Sequence, residues 1–351
     1  MTVLTDETRR AAGPRSAARR RSVFLTGILI AIAIAVALSL ALGSRSVSIE
    51  EVAEGLSAWL QGQTAQDIGA IAVQQRIPRT VLAIVAGAAL GLSGALMQAV
   101  TRNPIADPGI LGVNTGAALF VVCGIAFLGI TSTIEYLVLA LAGGTIVAVF
   151  VYVIGSLGPG GSTPIKLALA GAATTAALSS LVSAVLLPRI AAMDVFRFWQ
   201  VGGVAGADWS TLAIVAPLLA VAALVSLLCA PVLNALALGE EVAAGLGVNV
   251  NAARIVASAA GVVLCAAVTA VAGPIAFVGL MVPHVMRMLF GPDQRWLLPA
   301  SALGGAVLLT LSDTIGRLLG YPGEVEAGIV TAFVGAPVLI VIARRTRLKA
   351  L

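Results

Sequence analysis

The feature that most constrains this chain is a succession of unbroken apolar runs, each close to 20 residues, spread from residue 23 to residue 343. A helix rises about 1.5 Å per residue, so about 20 apolar residues match the ~30 Å hydrocarbon core of a bilayer. Backbone groups in hydrocarbon must find partners within the protein, which leaves helices or a closed barrel. Barrel strands alternate apolar and polar residues over about ten positions, and these runs do not alternate. Ten spans follow, at 23–43, 80–100, 113–133, 136–156, 167–188, 212–232, 255–272, 274–290, 296–312 and 326–343. Only Gly273-Pro274 separates the seventh from the eighth. Composition agrees, with 59% hydrophobic and 11% charged residues against about 25% charged in soluble domains. The expected architecture is an all-α polytopic membrane protein, with a basic tail over 1–22 and a ten-helix transmembrane domain over 23–351.

Lys and Arg set the orientation. Six basic residues crowd the first 22 positions, and Arg344, Arg345, Arg347 and Lys349 close the chain, so both termini are expected in the cytoplasm. Ten spans then leave Arg45, Arg76, Arg79, Arg189, Arg197 and Arg317 outside and the other fifteen of 21 basic residues inside. The first run could also be read as a secretory signal. This 21-residue run exceeds the usual 7–15 of such a segment, so it is taken as a retained span. The basic balance reflects this topology and anionic membrane lipid rather than nucleic acid. Cys123, Cys229 and Cys265 stand apart in apolar runs and form neither a disulfide framework nor a C-x-x-C metal site.

Two stretches repeat at an offset of 170: NPIADPGILGVN at 103–114 and GPIAFVGLMVPH at 273–284. Pro104, Ile105, Ala106 and Gly109 match Pro274, Ile275, Ala276 and Gly279. Five predicted spans intervene, so the copies face opposite sides of the bilayer. Inverted repeats of this kind are characteristic of transporters.

Ion-coupled carriers place acids or histidines within the bilayer to relay the coupling ion. Here Glu135, Lys166, Arg254, Asp313 and Glu326 fall at predicted span ends, leaving His284 as the only near-interior titratable group. A secondary carrier is therefore disfavoured. An intramembrane enzyme is disfavoured further, because neither Asp313 nor His284 has an evident catalytic partner. Neither Lys166 nor Lys349 lies in a G-x-x-x-x-G-K-[ST] loop, so energy for active transport has to come from another chain.

The inner loop 233–253 carries a candidate contact for such a motor. Gly239 can start a short helix, Glu240 and Glu241 sit in its first turn where the dipole favours acids, and Gly245 and Gly247 can end it. Val242, Ala243 and Leu246 add an apolar face. On the other side, Arg76, Arg79 and Arg317 run against the positive-inside trend. Anchoring of helix ends in the headgroups is one reading of them.

Together these pieces resemble the FecCD family, permeases of ABC importers for ferric siderophores, cobalamin and haem. The resemblance rests on RIPRTVLAIVAGAALGLSGALMQAVTRNPIADPGILGV at 76–113, LGEEVAAGLGV at 238–248, AGPIAFVGLMVPHVMR at 272–287, and SDTIGR with GIVTAFVGAP at 312–337. It implies the fold of a type II ABC importer permease, paired with a second permease subunit, two ABC ATPase subunits that bind ATP, and an extracytoplasmic substrate-binding protein. It implies that Arg76, Arg79 and Arg317 receive glutamates of the binding protein; the loop after Arg317 also carries Glu324 and Glu326, which could engage it within the chain. Gly239, Glu240, Glu241, Ala244, Gly245, Leu246 and Gly247 would dock on the ATPase. A pathway between the two permeases would be lined by the fifth and tenth spans, here Thr174, Thr175, Ser179, Ser180 and Thr331. No cofactor or metal is expected in this chain: one His and three scattered Cys cannot cage a bare ion. A cargo that arrives chelated fits that donor set, and ferric siderophore is the expected cargo, with cobalamin and haem as alternatives.

Overall fold

A computed structural model describes residues 14–157, 164–320 and 323–347. The first part of the basic tail, the Gly158–Gly161 connection, Tyr321, Pro322 and the last four residues lie outside them. Among the described residues the regular structure is entirely helical. Within those described residues seven helices are long and apolar enough to cross a membrane, and three shorter apolar helices, Val113–Leu128, Val278–Phe290 and Ala327–Val341, coincide with the third, eighth and tenth expected spans.

The chain begins with α1 (Pro14–Ala41), followed by the short amphipathic α2 (Ile49–Leu60) and the long α3 (Ile68–Thr101). Ser48 and Glu51 form a capping box that starts α2, a signal present in the sequence though the segment is not apolar enough to register as a span. At the head of α3, the Asp67 carboxylate accepts from the Gly69 N–H at 2.7 Å, starting the helix twelve residues before its apolar run. Arg76 and Arg79 therefore lie within α3, not in a loop ahead of it. The chain continues through α4 (Val113–Cys123), which ends in a π-turn at Gly124–Leu128, then α5 (Thr133–Ser156), α6 (Pro164–Leu186) and α7 (Ile190–Val201). After α8 (Trp209–Leu228) and α9 (Ala230–Ala237) come the one-turn α10 (Glu240–Gly245) and α11 (Val250–Ala272). The series closes with α12 (Val278–Phe290), α13 (Gln294–Leu319) and α14 (Ala327–Arg347).

The centre of the bundle is α3 packed along α13, flanked by α11 and α12. A Cβ on Gly87 would strike the Gly305 carbonyl, and one on Gly305 the Gly87 carbonyl. Without lipid-excluding hydrophobic force, close backbone approach of this sort is what holds transmembrane helices together. The two copies of the repeat play matching parts. Each follows a long helix, α3 or α11, and each breaks the chain before a shorter one, α4 or α12. The copies also meet, Asp107 lying against Gly279, and Gln98 at the end of α3 donates through Nε2 to the Gly279 and Leu280 carbonyls at 3.3 and 3.1 Å.

Candidate functional site

Two ends of the bundle carry the sequence-predicted groups. Trp59 of α2 stacks on Trp209, the first residue of α8, at 5.9 Å, so both belong to the end where α1 finishes. The twenty residues of α8, about 30 Å of helix, carry the chain to the opposite end, where α9 and α10 lie.

The first end is built around one carboxylate. Arg76 and Arg79 are three apart on α3, and Asp313 and Arg317 four apart on α13, so each pair shares a helix face. Packing of α3 on α13 brings the faces together. Arg79 Nε donates to both Asp313 oxygens at 3.0 and 3.1 Å, and its Nη2 donates to Oδ1 at 2.7 Å. Its remaining Nη1 reaches Glu324 Oε2 at 2.6 Å. Arg317 Nη2 pairs with Asp313 Oδ2 at 3.2 Å and donates to Ser39 Oγ at 2.8 Å. Its Nη1 donates to the carbonyls of Ser39 and Leu42 at 3.0 and 3.1 Å. Arg76 does the same for the neighbouring carbonyls, Leu40 at 2.8 Å, Ala41 at 3.1 Å and Arg45 at 2.7 Å.

This arrangement has a physical cause. The last carbonyls of a helix have no intrahelical donor, and the dipole makes that end negative. The last turn of α1 contains no basic residue of its own. Cations from α3 and α13 supply both the donors and the charge, and thereby fasten α1 to the centre of the bundle.

The geometry corrects several expectations. Asp313 is not at a span end: α13 runs seven residues past residue 312, and Asp313 is 1% exposed inside it. Arg317 is engaged by Asp313 and α1 rather than by Glu324 or Glu326; Glu324 belongs to Arg79, and Glu326 packs beside Gly203. Nor are the three arginines free surface groups. Arg317 is 2% exposed with its terminal donors used within the chain, and Arg76 and Arg79 are also buried. Glu324, with its side chain 30% exposed, is the part of this network that faces outward. Sequence reading missed Ser39 and the central role of Asp313, because nothing in the local pattern joins residues 39, 79 and 313.

At the opposite end, Gly239 has φ of +118° and Gly247 of +81°, values that suit glycine on each side of the six-residue α10. Glu240 and Glu241 fill its first turn. Val242 and Leu246 are exposed, at 49% and 64%, as are Ala244 and Gly245. Ala243 is not part of that apolar face: it is fully buried and anchors the helix to the bundle. Glu240 braces α10 from the side through an ion pair with Arg254 at 2.6 Å. Nearby, Asn234 of α9 donates to Asp293 at 2.7 Å and accepts from the Gln294 N–H at 2.8 Å, fixing α9 to the start of α13.

Of the expected pathway residues, Thr174 and Thr175 are half-buried and Ser179 and Ser180 exposed along α6, whose flank is open in the single chain. Thr331 is turned inward instead, fully buried with its hydroxyl donating to the Gly328 carbonyl at 2.9 Å. His284 is half-buried in α12, and no group of three or more His, Cys, Asp or Glu side chains is placed to hold a metal among the described residues.

Comparison with known proteins agrees with this architecture. The model of the FecCD transport family matches residues 29–345. The chain belongs to the FecCD transport family. It is 42% identical over 330 residues to the ferric enterobactin transport system permease protein FepD of Escherichia coli, covering 94% of this chain and 97% of the relative. The Fe(3+)-citrate import system permease protein YfmD of Bacillus subtilis is 40% identical over 305 residues, 87% of this chain and 89% of that one. Among solved structures, a metal-chelate type ABC transporter in an inward-facing conformation matches with a TM-score of 0.77 and 28% identity, over 92% of this chain and 99% of that chain. This FecCD member is thus a transport permease with the fold of the ABC importer membrane subunits.

Proposed function

We propose that this chain is the membrane subunit of an importer that carries a ferric siderophore across the cytoplasmic membrane. It sits there as a multi-pass protein with both termini in the cytoplasm. It works beside a second permease, above two ATPase subunits that bind and hydrolyse ATP, and beneath an extracytoplasmic binding protein. The observation that carries the reading is α10: a one-turn helix with exposed Val242, Ala244 and Leu246, braced by Arg254, on a chain similar end to end to iron-chelate permeases. Such a tip offers an apolar contact to a cytoplasmic motor domain. The open face of α6, with Ser179 and Ser180 along it, supports the placement of the second permease and the path beside this helix.

Docking of the binding protein is proposed at the arginine end, with the roles divided. Arg79 receives a partner carboxylate by exchanging it for the half-exposed Glu324. Arg76 and Arg317 stay on α1 and hold the receiving surface from beneath. Uptake of labelled ferric siderophores, cobalamin and haem by a deletion strain complemented with the gene tests the cargo. Siderophore uptake restored without the others supports the reading. Restored uptake of cobalamin or haem alone overturns it, as does transport by the reconstituted chain driven by an ion gradient without an ATPase.

A further inference from the structure

Between α5 and α11, at the α10 end, lies an open apolar groove of about 230 Å³. Thr145, Val149 and Tyr152 of α5 face Ile255, Ala259 and Val263 of α11 across it. Val149, Tyr152 and Ile255 are 56%, 46% and 67% exposed, so the groove opens on the flank of the bundle that hydrocarbon would cover. Among the described residues, Arg254 is the one charged residue lining it. From Arg254 to Val263 is nine residues of α11, about 14 Å, close to the ~15 Å depth of one leaflet, half of the hydrocarbon core. Arg254 stands in the second turn of α11, at the level of the helix ends, and Tyr152 lies one turn from the end of α5. An aromatic and a basic side chain at that depth match the headgroup boundary. The guanidinium is already committed to one carboxylate, that of Glu240 on α10, at 2.6 Å.

We propose that the groove binds an anionic phospholipid of the adjacent leaflet, one acyl chain between α5 and α11 and the phosphate on Arg254, where it competes with Glu240. Charge complementarity selects the occupant: the fork of arginine matches phosphate oxygens as it matches a carboxylate, and basic pockets between transmembrane helices hold anionic headgroups. Exchange of Glu240 for phosphate releases the side brace of α10. The lipid around the permease thereby acts on the helix proposed to contact the ATPase.

The test uses the full permease assembled with its partner subunits in nanodiscs of phosphatidylglycerol and phosphatidylcholine, with retained lipids counted by native mass spectrometry. Wild type should retain phosphatidylglycerol over phosphatidylcholine about five-fold, the preference one basic residue confers at a membrane surface. Arg254→Gln should bring the ratio to parity and Arg254→Lys should restore most of it. Ala259→Trp, which fills the groove and leaves the charge, should expel the lipid. Glu240→Gln should raise retention by removing the competitor, and added inorganic phosphate should not displace the lipid. Parity in the wild type overturns the proposal, as does retention unchanged by both Arg254→Gln and Ala259→Trp. Disulfide formation between two copies through Ile255→Cys would show that a second permease covers the groove, and would overturn it as well. None of these readouts depends on which cargo is carried.

Discussion

Among the described residues, Asp313 is the one carboxylate paired with two buried arginines, and replacing it by Asn removes that shared partner. Asp313 is 1% exposed, accepts three hydrogen bonds from Arg79 and pairs with Arg317 at 3.2 Å. Breaking a buried pair by removing one partner costs about 3–5 kcal/mol, chiefly because the other charge is left uncompensated. Two features soften the loss here. Glu324 still faces Arg79, and the α1 carbonyls still accept from Arg317. The low end of the range is therefore expected, about 3 kcal/mol, or roughly a hundredfold in the folded-to-unfolded ratio. Chemical unfolding of the purified permease in nanodiscs measures the global effect. Trypsin cleavage after Arg45, whose carbonyl is held by Arg76, reports the local one: it should accelerate as the end of α1 loosens. The double change Asp313→Leu with Arg79→Met should recover only part of the stability, because apolar groups replace one buried pair at little cost while Arg317 is left with the α1 carbonyls and no carboxylate. Glu324 then loses its partner where water can solvate it. If Asp313→Asn stays within about 1 kcal/mol of wild type and cleavage is no faster, the network does not fasten α1 and the reasoning fails.

Three further outcomes are expected. Arg79→Glu should weaken association with the binding protein in a salt-sensitive way, and a glutamate-to-arginine change on the matching lobe of that protein should restore part of it; a loss that no partner change rescues would make Arg79 purely internal. The double change Leu246→Asp with Ala244→Asp places unpaired charges in the proposed ATPase contact, so transport-linked ATP hydrolysis should be lost while insertion is retained, and normal coupling would remove α10 from the contact. Asp208 caps α8, and the Thr211 N–H, which donates to its carboxylate, holds that carboxyl below the usual aspartate range. A folded-state pKa below the unfolded one gives stability that is present at neutral pH and lost as pH falls through the folded value. Asp208→Ala should cost about 1 kcal/mol near pH 7 and flatten the acid limb of the unfolding profile, and an unaltered acid limb would refute the assignment.

The succession of spans and the repeated break in the chain were legible from the sequence because both rest on properties that act locally. Twenty apolar residues must cross a bilayer as a helix whatever surrounds them, and Asn103-Pro104 and Gly273-Pro274 each follow closely on a helix end. The glycine-bounded α10 was legible for the same reason. Span ends were less so. The N-cap on Asp67 and the polar last turns of α13 extend helices beyond their apolar runs, since helix length follows hydrogen bonding and hydropathy follows lipid contact. The roles of Arg76, Arg79 and Arg317 were decided only in three dimensions. Their charge marks them in the sequence, but the partners that bury them come from residues 39–45, 313 and 324, far away along the chain. The inward turn of Thr331 and the pairing of Glu240 with Arg254 were likewise fixed by which helix faces meet. Hydropathy is a property of each segment and can be read one segment at a time; the partner of a buried charge is a property of packing, and exists only once the helices have come together.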